Sequence, residues 1–152
     1  MAKVGVFVDE SAETISEIVR IAHIDTIQLH GAESPQFCAR MPLPVIKSFA
    51  VKPGFDVAQL SDYQVSGHLL DTWNESLKGG VGSIFDWSIA KEAVRRSPHL
   101  ILAGGLGPSN IKEALESVRP FAVDINSGVE IKPGVKNPHK MREVVSIVKG
   151  WK

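Results

Sequence analysis

The 152-residue sequence lacks several features that would place it in a specialised class of protein. It has a single cysteine, Cys38, so no disulfide can form within the chain and a reducing cytoplasm is the expected compartment. No apolar run approaches the ~20 residues that a membrane-spanning helix needs. Met1 to Lys3 lead straight into an apolar strand, which leaves no room for a signal peptide. These features predict a cytoplasmic protein that has no membrane partner.

The charge balance and the missing motifs exclude further classes. Lys and Arg total 17 and Asp and Glu total 17, so the zero net charge gives no general attraction to nucleic acid. Neither a dinucleotide-binding GxGxxG sequence nor a GKS/GKT phosphate loop is present. The five histidines show no ligand spacing with one another or with Cys38, which argues against a metal site. Cys38 lies beside Phe37 and Met41, where buried packing is favoured over a nucleophilic role.

Basic residues are concentrated near the C-terminal end of the chain. The stretch 131–152 has six Lys and Arg residues against Glu143 alone. Such a stretch could attract a phosphorylated substrate, although a solvated helix face is the favoured interpretation.

Short apolar runs alternate with helical patterns six times along the chain. The predicted strands are 4–8, 26–30, 45–49, 69–71, 100–103 and 121–125. The predicted helices are 13–23 capped by Ser11, 34–41, a weak segment 56–63, 87–96, a helix with Pro108 in its first turn that ends near Val118, and 138–149. Apolar strands that are each followed by a helix indicate a parallel sheet buried on both faces. The fold class is therefore α/β, in one domain covering residues 1–152.

Periodicity alone leaves two architectures open, a doubly wound open sheet and part of a (βα)₈ barrel. Polar residues and glycines cluster at the C-terminal ends of the predicted strands. They are Gln28 with His30, Lys47, Asp71, Gly104 with Gly105, and Asp124 with Asn126. In a barrel these ends converge on one mouth, so this distribution favours the barrel and predicts one shared pocket.

The stretch from Leu69 to Trp87 has the composition of an active site. Asp86 stands between Phe85 and Trp87, where desolvation could raise the pKa of its carboxyl, as suits a general acid. Gly79, Gly80 and Gly82 precede it and could form a lid that closes over a substrate. On spacing alone a simpler interpretation is favoured, because aspartate is a common helix N-cap and glycine a common loop residue.

Two glycine turns predict a phosphate site. Gly104-Gly105 and Ser127-Gly128 follow the last two predicted strands, where backbone N–H groups could approach an anion. In (βα)₈ barrels the loops after the last two strands commonly bind phosphate. His30, at the end of a strand, is either a substrate contact or a structural histidine bonded to a neighbouring loop.

The motifs taken together resemble the phosphoribosylanthranilate isomerase family, in the family's order and across the whole chain. The resemblance rests on Val4-Gly5-Val6-Phe7-Val8, Gln28-Leu29-His30-Gly31, Val45-Ile46-Lys47, Leu69-Leu70-Asp71, Gly79-Gly80-Val81-Gly82, Phe85-Asp86-Trp87, Ala103-Gly104-Gly105-Leu106, Val123-Asp124-Ile125-Asn126-Ser127-Gly128-Val129-Glu130 and Pro133-Gly134. It implies an aldose–ketose isomerase of the intramolecular oxidoreductase type, which performs an Amadori rearrangement in tryptophan biosynthesis without cofactor or metal.

The resemblance also implies roles for individual residues. Asp86 corresponds to the general acid that protonates the ribose ring oxygen, and Asp124 to a carboxylate that helps to hold the substrate. Gly104, Gly105, Ser127 and Gly128 correspond to the phosphate-binding turns, and Gly79, Gly80 and Gly82 to the closing loop.

The sequence begins at what corresponds to the family's third strand. The resemblance therefore implies a partial barrel of strands three to eight, without the first two βα units, the cysteine general base and the arginine that binds the anthranilate carboxylate. We expect the chain to be inactive alone and to associate, either as a homo-oligomer or with a complementing N-terminal fragment. Open edges should leave Val6, Val8 and Ile125 facing water.

Two alternative functions remain at this stage. One is a catalytically silent phosphate-binding partial barrel that assembles through its open edges. The other, more distant, is an enzyme such as indole-glycerol-phosphate synthase, which would need a lysine general acid inside the barrel, and only Lys47 could supply it.

Overall fold

A computed structural model describes residues 2–72 and 86–151 of the chain. Six strands form one sheet in chain order, and every neighbouring pair is parallel. The strands are β1 (Val4–Phe7), β2 (Thr26–Leu29), β3 (Val45–Val51), β4 (Gly67–Thr72), β5 (Leu100–Leu102) and β6 (Ala122–Val123). A doubly wound sheet reverses its strand order at a switch point, whereas this sheet does not. The architecture is therefore an α/β half-barrel, as the sequence favoured.

Helices connect the strands. They are α1 (Ala12–Ala22), α2 (Pro35–Cys38), α3 (Trp87–Arg96), α4 (Ile111–Val118) and α5 (Pro138–Gly150), with 3₁₀ turns at Val57–Asp62 and Ser127–Val129. The Ser11 hydroxyl caps α1 by accepting a hydrogen bond from the Thr14 amide at 3.1 Å. Asn137 caps α5 in the same way, because its side chain accepts from the His139 and Lys140 amides. Both helices therefore begin where a side-chain acceptor satisfies free backbone N–H groups.

Helix α4 begins later than predicted. Pro108 was expected in its first turn, but it lies in a separate turn and the helix starts at Ile111. Asn110 explains the difference, since its Oδ1 accepts from the Gly107 amide at 2.9 Å and its Nδ2 donates to the Gly105 carbonyl at 3.0 Å. These two bonds fold residues 105–110 back on themselves before the helix can begin.

A small hairpin was missed by the sequence analysis. Strands β7 (Glu130–Lys132) and β8 (Val135–Lys136) pair antiparallel, outside the main sheet. Gly134 allows the turn between them with a φ of 79°. The hairpin lies between β6 and α5 in the chain, directly after the predicted phosphate turn.

The hydrophobic core lies between the sheet and the surrounding helices. Its larger part packs α3 and α4 against the outward side chains of β3, β4 and β5, including the fully buried Leu70, Leu100 and Leu102. A smaller part joins Ile15 of α1 to Phe7, Ile27 and Leu29 of the first two strands. This outer layer leaves the opposite, concave face of the sheet available for a site.

The two ends of the sheet expose apolar side chains. Among the described residues β1 pairs only with β2, and β6 only with β5. Val6 and Val8 are 58% and 63% exposed, which confirms the prediction that they face water. Ile125 is half-buried and packs against the larger core, so its predicted exposure is wrong. Helix α5 supplies cover there, since Ile125 and Val144 line the same apolar groove.

Candidate active site

A cavity of about 670 Å³ opens on the concave face of the sheet. Its apolar floor includes Val4, Val6, Ile46 and Ile101, and its polar residues lie at the C-terminal ends of the strands. The polar and glycine residues that line it are Gln28, His30, Asp71, Gly104, Gly105, Asp124, Asn126, Ser127 and Gly128. The predicted convergence of strand ends on one pocket is therefore confirmed for these residues.

The two glycine turns contact each other at one side of this cavity. A Cβ on Gly128 would come within 2.8 Å of the Leu106 carbonyl carbon and 3.1 Å of Gly107 Cα, so the backbones touch with no room for a side chain. Gly104 has a φ of 87°, and a Cβ there would collide with Thr72. Backbone N–H groups gathered in such a turn, next to the start of α4, suit an anion.

A histidine and a carboxylate meet at the centre of the mouth. His30 Nε2 lies 3.4 Å from Asp71 Oδ2, with about one third of each side chain exposed. Gln28, which is 8% exposed, places its Nε2 3.2 Å from His30 Nδ1. The parallel pairing of β2, β3 and β4 brings these residues together although they are 43 positions apart at most.

Asp124 follows β6, on the same side of the mouth as the two glycine turns, which follow β5 and β6. The surrounding protein displaces water from its carboxyl and raises its pKa above the ordinary value of 3.8, and the negative charge of Asp71 acts in the same direction. His30 and Lys136 act in the opposite direction. Asp124 remains accessible from the open side of the cavity. It is thus a carboxyl that retains its proton more readily than an ordinary aspartate and can still reach a ligand.

Lys136 was not predicted as part of the site. Its Nζ donates to the Asn126 carbonyl at 2.9 Å and to Glu130 Oε1 at 2.7 Å, and it also bonds to the Asn126 side chain. Lys136 therefore ties the β7–β8 hairpin to the loop between β6 and the Ser127-Gly128 turn. The basic character of the C-terminal stretch was the only sequence signal for it.

Asp86 differs from its prediction. It is exposed and caps α3, because its Oδ1 accepts from the Ser88 amide at 2.9 Å. Hydrogen bonds from the Ser88 backbone and side chain lower the pKa of Asp86, whereas a raised pKa was expected. Asp86 is not among the residues that line the cavity. Its carboxyl therefore has the environment of a helix cap and not that of a desolvated acid.

Two other expectations concern residues near Asp86. The predicted lid residues Gly79, Gly80 and Gly82 lie outside the described residues, as does Phe85. Trp87 is described and is 8% exposed, so it belongs to the core. The lid remains a prediction.

Lys47 does not enter the mouth, although it was expected there. It pairs in register with Leu29, whose side chain is buried in the outer core, so both point away from the concave face. Its Nζ lies 3.0 Å from Glu33 Oε2, and each side chain is 3% exposed. The suggested lysine general acid inside the barrel is therefore wrong for Lys47.

Cys38 is buried in α2 among the residues of the smaller core. Burial raises the pKa of its thiol, which keeps it protonated and unreactive. This environment agrees with the packing role that the sequence favoured.

The described ranges, 2–72 and 86–151, contain neither a metal-binding cluster nor a membrane-spanning helix. No group of three His, Cys, Asp or Glu side chains in them is arranged to hold a metal ion. No helix in this part of the chain has the length and apolar character needed to cross a membrane.

The fold and the cavity define a parallel α/β half-barrel with two glycine turns and acidic groups at one mouth. The sequence profile of N-(5'phosphoribosyl)anthranilate (PRA) isomerase matches residues 1–147. The chain belongs to this family.

Individual relatives agree with the profile. The N-(5'-phosphoribosyl)anthranilate isomerase of Trichlorobacter lovleyi is 43% identical over 142 residues, covering 93% of this chain and 69% of that protein. The crystal structure of the Thermotoga maritima phosphoribosyl anthranilate isomerase superposes with a TM-score of 0.89 at 37% identity, covering 99% of this chain and 74% of that one. A phosphoribosyl anthranilate isomerase in complex with reduced 1-(o-carboxyphenylamino)-1-deoxyribulose 5-phosphate gives a TM-score of 0.85 at 35% identity, covering 99% and 72%. The chain thus aligns with about seven tenths of these proteins.

Proposed function

We propose that the protein acts as a phosphoribosylanthranilate isomerase in tryptophan biosynthesis. The reaction converts N-(5′-phosphoribosyl)anthranilate, an aminoaldose, to carboxyphenylamino-deoxyribulose phosphate, an aminoketose. Family membership supports this proposal, as does the similar isomerase that binds a reduced form of such an aminoketose phosphate.

One observation carries the proposal: a single cavity joins the glycine turns to the His30–Asp71 pair and Asp124. The turns would hold the substrate phosphate through backbone N–H groups. That anchor would leave the ribose between the acidic groups, where a proton can reach the ring oxygen as the ring opens. Phosphate binding and proton transfer would then be served from one mouth.

We further propose that the proton comes from the carboxyl pair Asp71 and Asp124 and not from Asp86. Asp71 and Asp124 both line the cavity, and the negative charge of Asp71 contributes to the raised pKa of Asp124. Two carboxyls that share a site favour a state in which one keeps its proton. Asp86 has a lowered pKa and faces solvent, which makes it a poor proton donor at neutral pH.

The open ends of the sheet bear on how the site is completed. Val6 beside the cavity and Phe121 at the far strand are 58% and 68% exposed, so apolar surface is available at both ends. We propose that two further βα units cover these ends and supply the cysteine base and the carboxylate-binding arginine. Association of two copies through the same ends is the competing arrangement.

The assay follows the fluorescence of phosphoribosylanthranilate with the chain alone, and with a fragment carrying the first two βα units of the Trichlorobacter lovleyi relative. We expect turnover to need the fragment. Asp71→Asn and Asp124→Asn should each lower turnover by ~10²-fold or more, because Asn keeps the shape without the proton. Asp86→Asn is the matched control and should leave turnover near normal.

Other outcomes would change the assignment. Turnover by a folded monomer alone would overturn the need for a fragment, and a large loss in Asp86→Asn would restore Asp86 as the acid. Phosphate binding without turnover in every mixture would favour the silent phosphate-binding half-barrel.

A further inference from the structure

The mouth contains a side chain to which the proposed reaction assigns no role. Gln28 is 8% exposed, lies on β2, and faces the cavity two residues before His30. His30 lines the same cavity, and the Gln28 amide lies against its ring. A buried amide costs free energy unless it is hydrogen-bonded, and His30 is its side-chain partner among the described residues.

We propose that Gln28 is a positioning residue that holds His30 in its neutral Nε2–H tautomer, so that the ring donates a hydrogen bond to Asp71. The proposal deepens the proposed function, because Asp71 belongs to the carboxyl pair that serves the reaction.

The geometry sets the tautomer in two steps. The Gln28 amide nitrogen can only donate, so His30 Nδ1, 3.2 Å away, must accept and carries no hydrogen. The single N–H of the neutral ring is then on Nε2, which lies 3.4 Å from Asp71 Oδ2. The three side chains form one directed chain from Gln28 through His30 to Asp71.

The charged groups around His30 show why its tautomer matters. The carboxyls that act on the ring are Asp71, in direct contact, and Asp124, with which His30 interacts across the mouth. Lys136 is the cation that also acts on Asp124. With its N–H on Nε2, the ring donates to Asp71 and leaves Nδ1 to accept from Gln28, so the carboxyl in contact with the ring has a fixed hydrogen-bond donor.

A histidine held only by packing would behave differently. Its tautomer would follow Asp71 alone and would not respond to the residue at position 28. Residues that hydrogen-bond to a functional histidine commonly fix which ring nitrogen carries the proton. This is the behaviour proposed for Gln28.

The test is nitrogen-15 NMR of the imidazole rings in the full chain at pH 8, where two-bond ¹⁵N–¹H couplings identify the tautomer. We expect the Nε2–H form at His30. Gln28→Leu should lose this preference and give a mixture of tautomers. Gln28→Glu should reverse it, since a carboxylate accepts from Nδ1–H. His99, whose Nδ1 lies 3.2 Å from the Ser66 carbonyl, is the internal reference and should be unchanged in all variants.

Several results would overturn the proposal: an Nδ1–H tautomer in the parent chain, or a tautomer that neither Gln28→Leu nor Gln28→Glu alters. Gln28→Glu guards against misfolding of the leucine variant, and amide spectra report the fold of each. The measurement needs no substrate, so failure of the isomerase assay leaves its result intact. In an active mixture, Gln28→Leu should lower kcat with KM unchanged, whereas a structural loss would change both.

Discussion

Two charged clusters lie at the same end of the sheet and differ in how completely their charges are satisfied. The buried clasp, formed by Glu33 and Lys47, joins side chains that are each 3% exposed at a distance of 3.0 Å. The mouth cluster, formed by His30, Asp71 and Asp124, contains a looser contact of 3.4 Å between side chains that are about one third exposed. Both clusters lie toward the C-terminal ends of the parallel strands.

The buried clasp uses nearly all of its hydrogen-bonding capacity within the protein. Lys47 Nζ has the carbonyls of Gly31 and Ser48 at 2.8 and 3.0 Å in addition to Glu33. Glu33 Oε1 accepts from the amides of Asp9 and Gly31 at 3.0 and 3.1 Å. The clasp therefore ties the segments that follow β1 and β2 to β3, and its charges are satisfied within the protein. In the mouth cluster, the carboxyls retain accessible surface and Asp124 has a raised pKa, as binding or proton transfer requires.

The largest effect should come from breaking the buried clasp. Lys47→Met leaves Glu33 as an unpaired buried charge, so we expect the free energy of unfolding to fall by about 3–5 kcal/mol. Urea unfolding followed by tryptophan fluorescence measures it. Lys136→Met breaks the more exposed pair with Glu130, whose side chains are 38% and 15% exposed, and should cost only about 0–1 kcal/mol.

A second variant tests whether the unpaired charge of Glu33 causes the loss of stability. Glu33→Gln combined with Lys47→Met removes the unpaired charge and should recover part of the loss. No recovery would mean that the loss comes from the Gly31 and Ser48 carbonyls left without a donor and not from the unpaired charge.

The next effect concerns the proposed phosphate site at the two glycine turns. Gly128→Val would force a side chain into the Leu106 carbonyl, separate the two turns and abolish the binding of inorganic phosphate. Ser127→Ala leaves the backbone amides in place and should weaken phosphate binding by at most ~1 kcal/mol. Phosphate titration by NMR, with urea unfolding as a check on the fold, compares the two variants. An equal loss in both would count against binding through backbone amides.

The sequence predicted the six strands because each is a short apolar run, a signal that is local in the chain. It also predicted the glycine turns and the convergence of Asp71 with Asp124, since parallel strands bring their C-terminal ends together. The side-chain contacts depend on register. His30 meets Asp71 only because β2, β3 and β4 pair as they do, and no pattern within one strand reports that pairing.

The differences between the sequence predictions and the structure also have specific causes. A raised pKa was predicted for Asp86 from its aromatic neighbours, whereas hydrogen bonds from Ser88, two residues later, lower it. Lys47 follows Ile46 on β3, and strand alternation places one of these adjacent residues on the concave face and the other in the outer layer. The hairpin 130–136 was not predicted because its strands have three and two residues, which are too short to show an alternation of apolar and polar residues.

A smaller effect should appear in the pH dependence of stability. The pKa of Asp124 is raised on folding, so the folded state binds the proton more tightly and loses stability as pH rises above about 3.8. Asp124→Asn removes this loss and should be more stable than the parent at pH 7, by less than ~1 kcal/mol because the carboxyl is accessible to water. The advantage should vanish below the ordinary aspartate pKa. Urea unfolding at several pH values measures the difference.

Asp86→Asn provides the control of opposite sign. Its carboxyl has a lowered pKa on folding, so its ionised form stabilises the fold above about 3.8 and that contribution is lost as pH falls. This variant should therefore be less stable than the parent at pH 7 and equal to it in acid. The same sign for both variants would show that Asp124 and Asp86 do not differ in environment.

The smallest effect is expected at Ser48, which stands next to Lys47 on β3. Ser48 is 5% exposed, and its Oγ has no hydrogen-bond partner among the residues that the structure describes. Because a buried hydroxyl without a partner does not stabilise the fold, Ser48→Ala should change the free energy of unfolding by less than about 0.5 kcal/mol. Ser97→Ala is the matched control: that residue is 2% exposed but its Oγ lies 2.8 Å from His68 Nδ1, so its loss should cost about 1–2 kcal/mol. A cost at Ser48 as large as that at Ser97 would reveal a hydrogen-bond partner for the Ser48 hydroxyl.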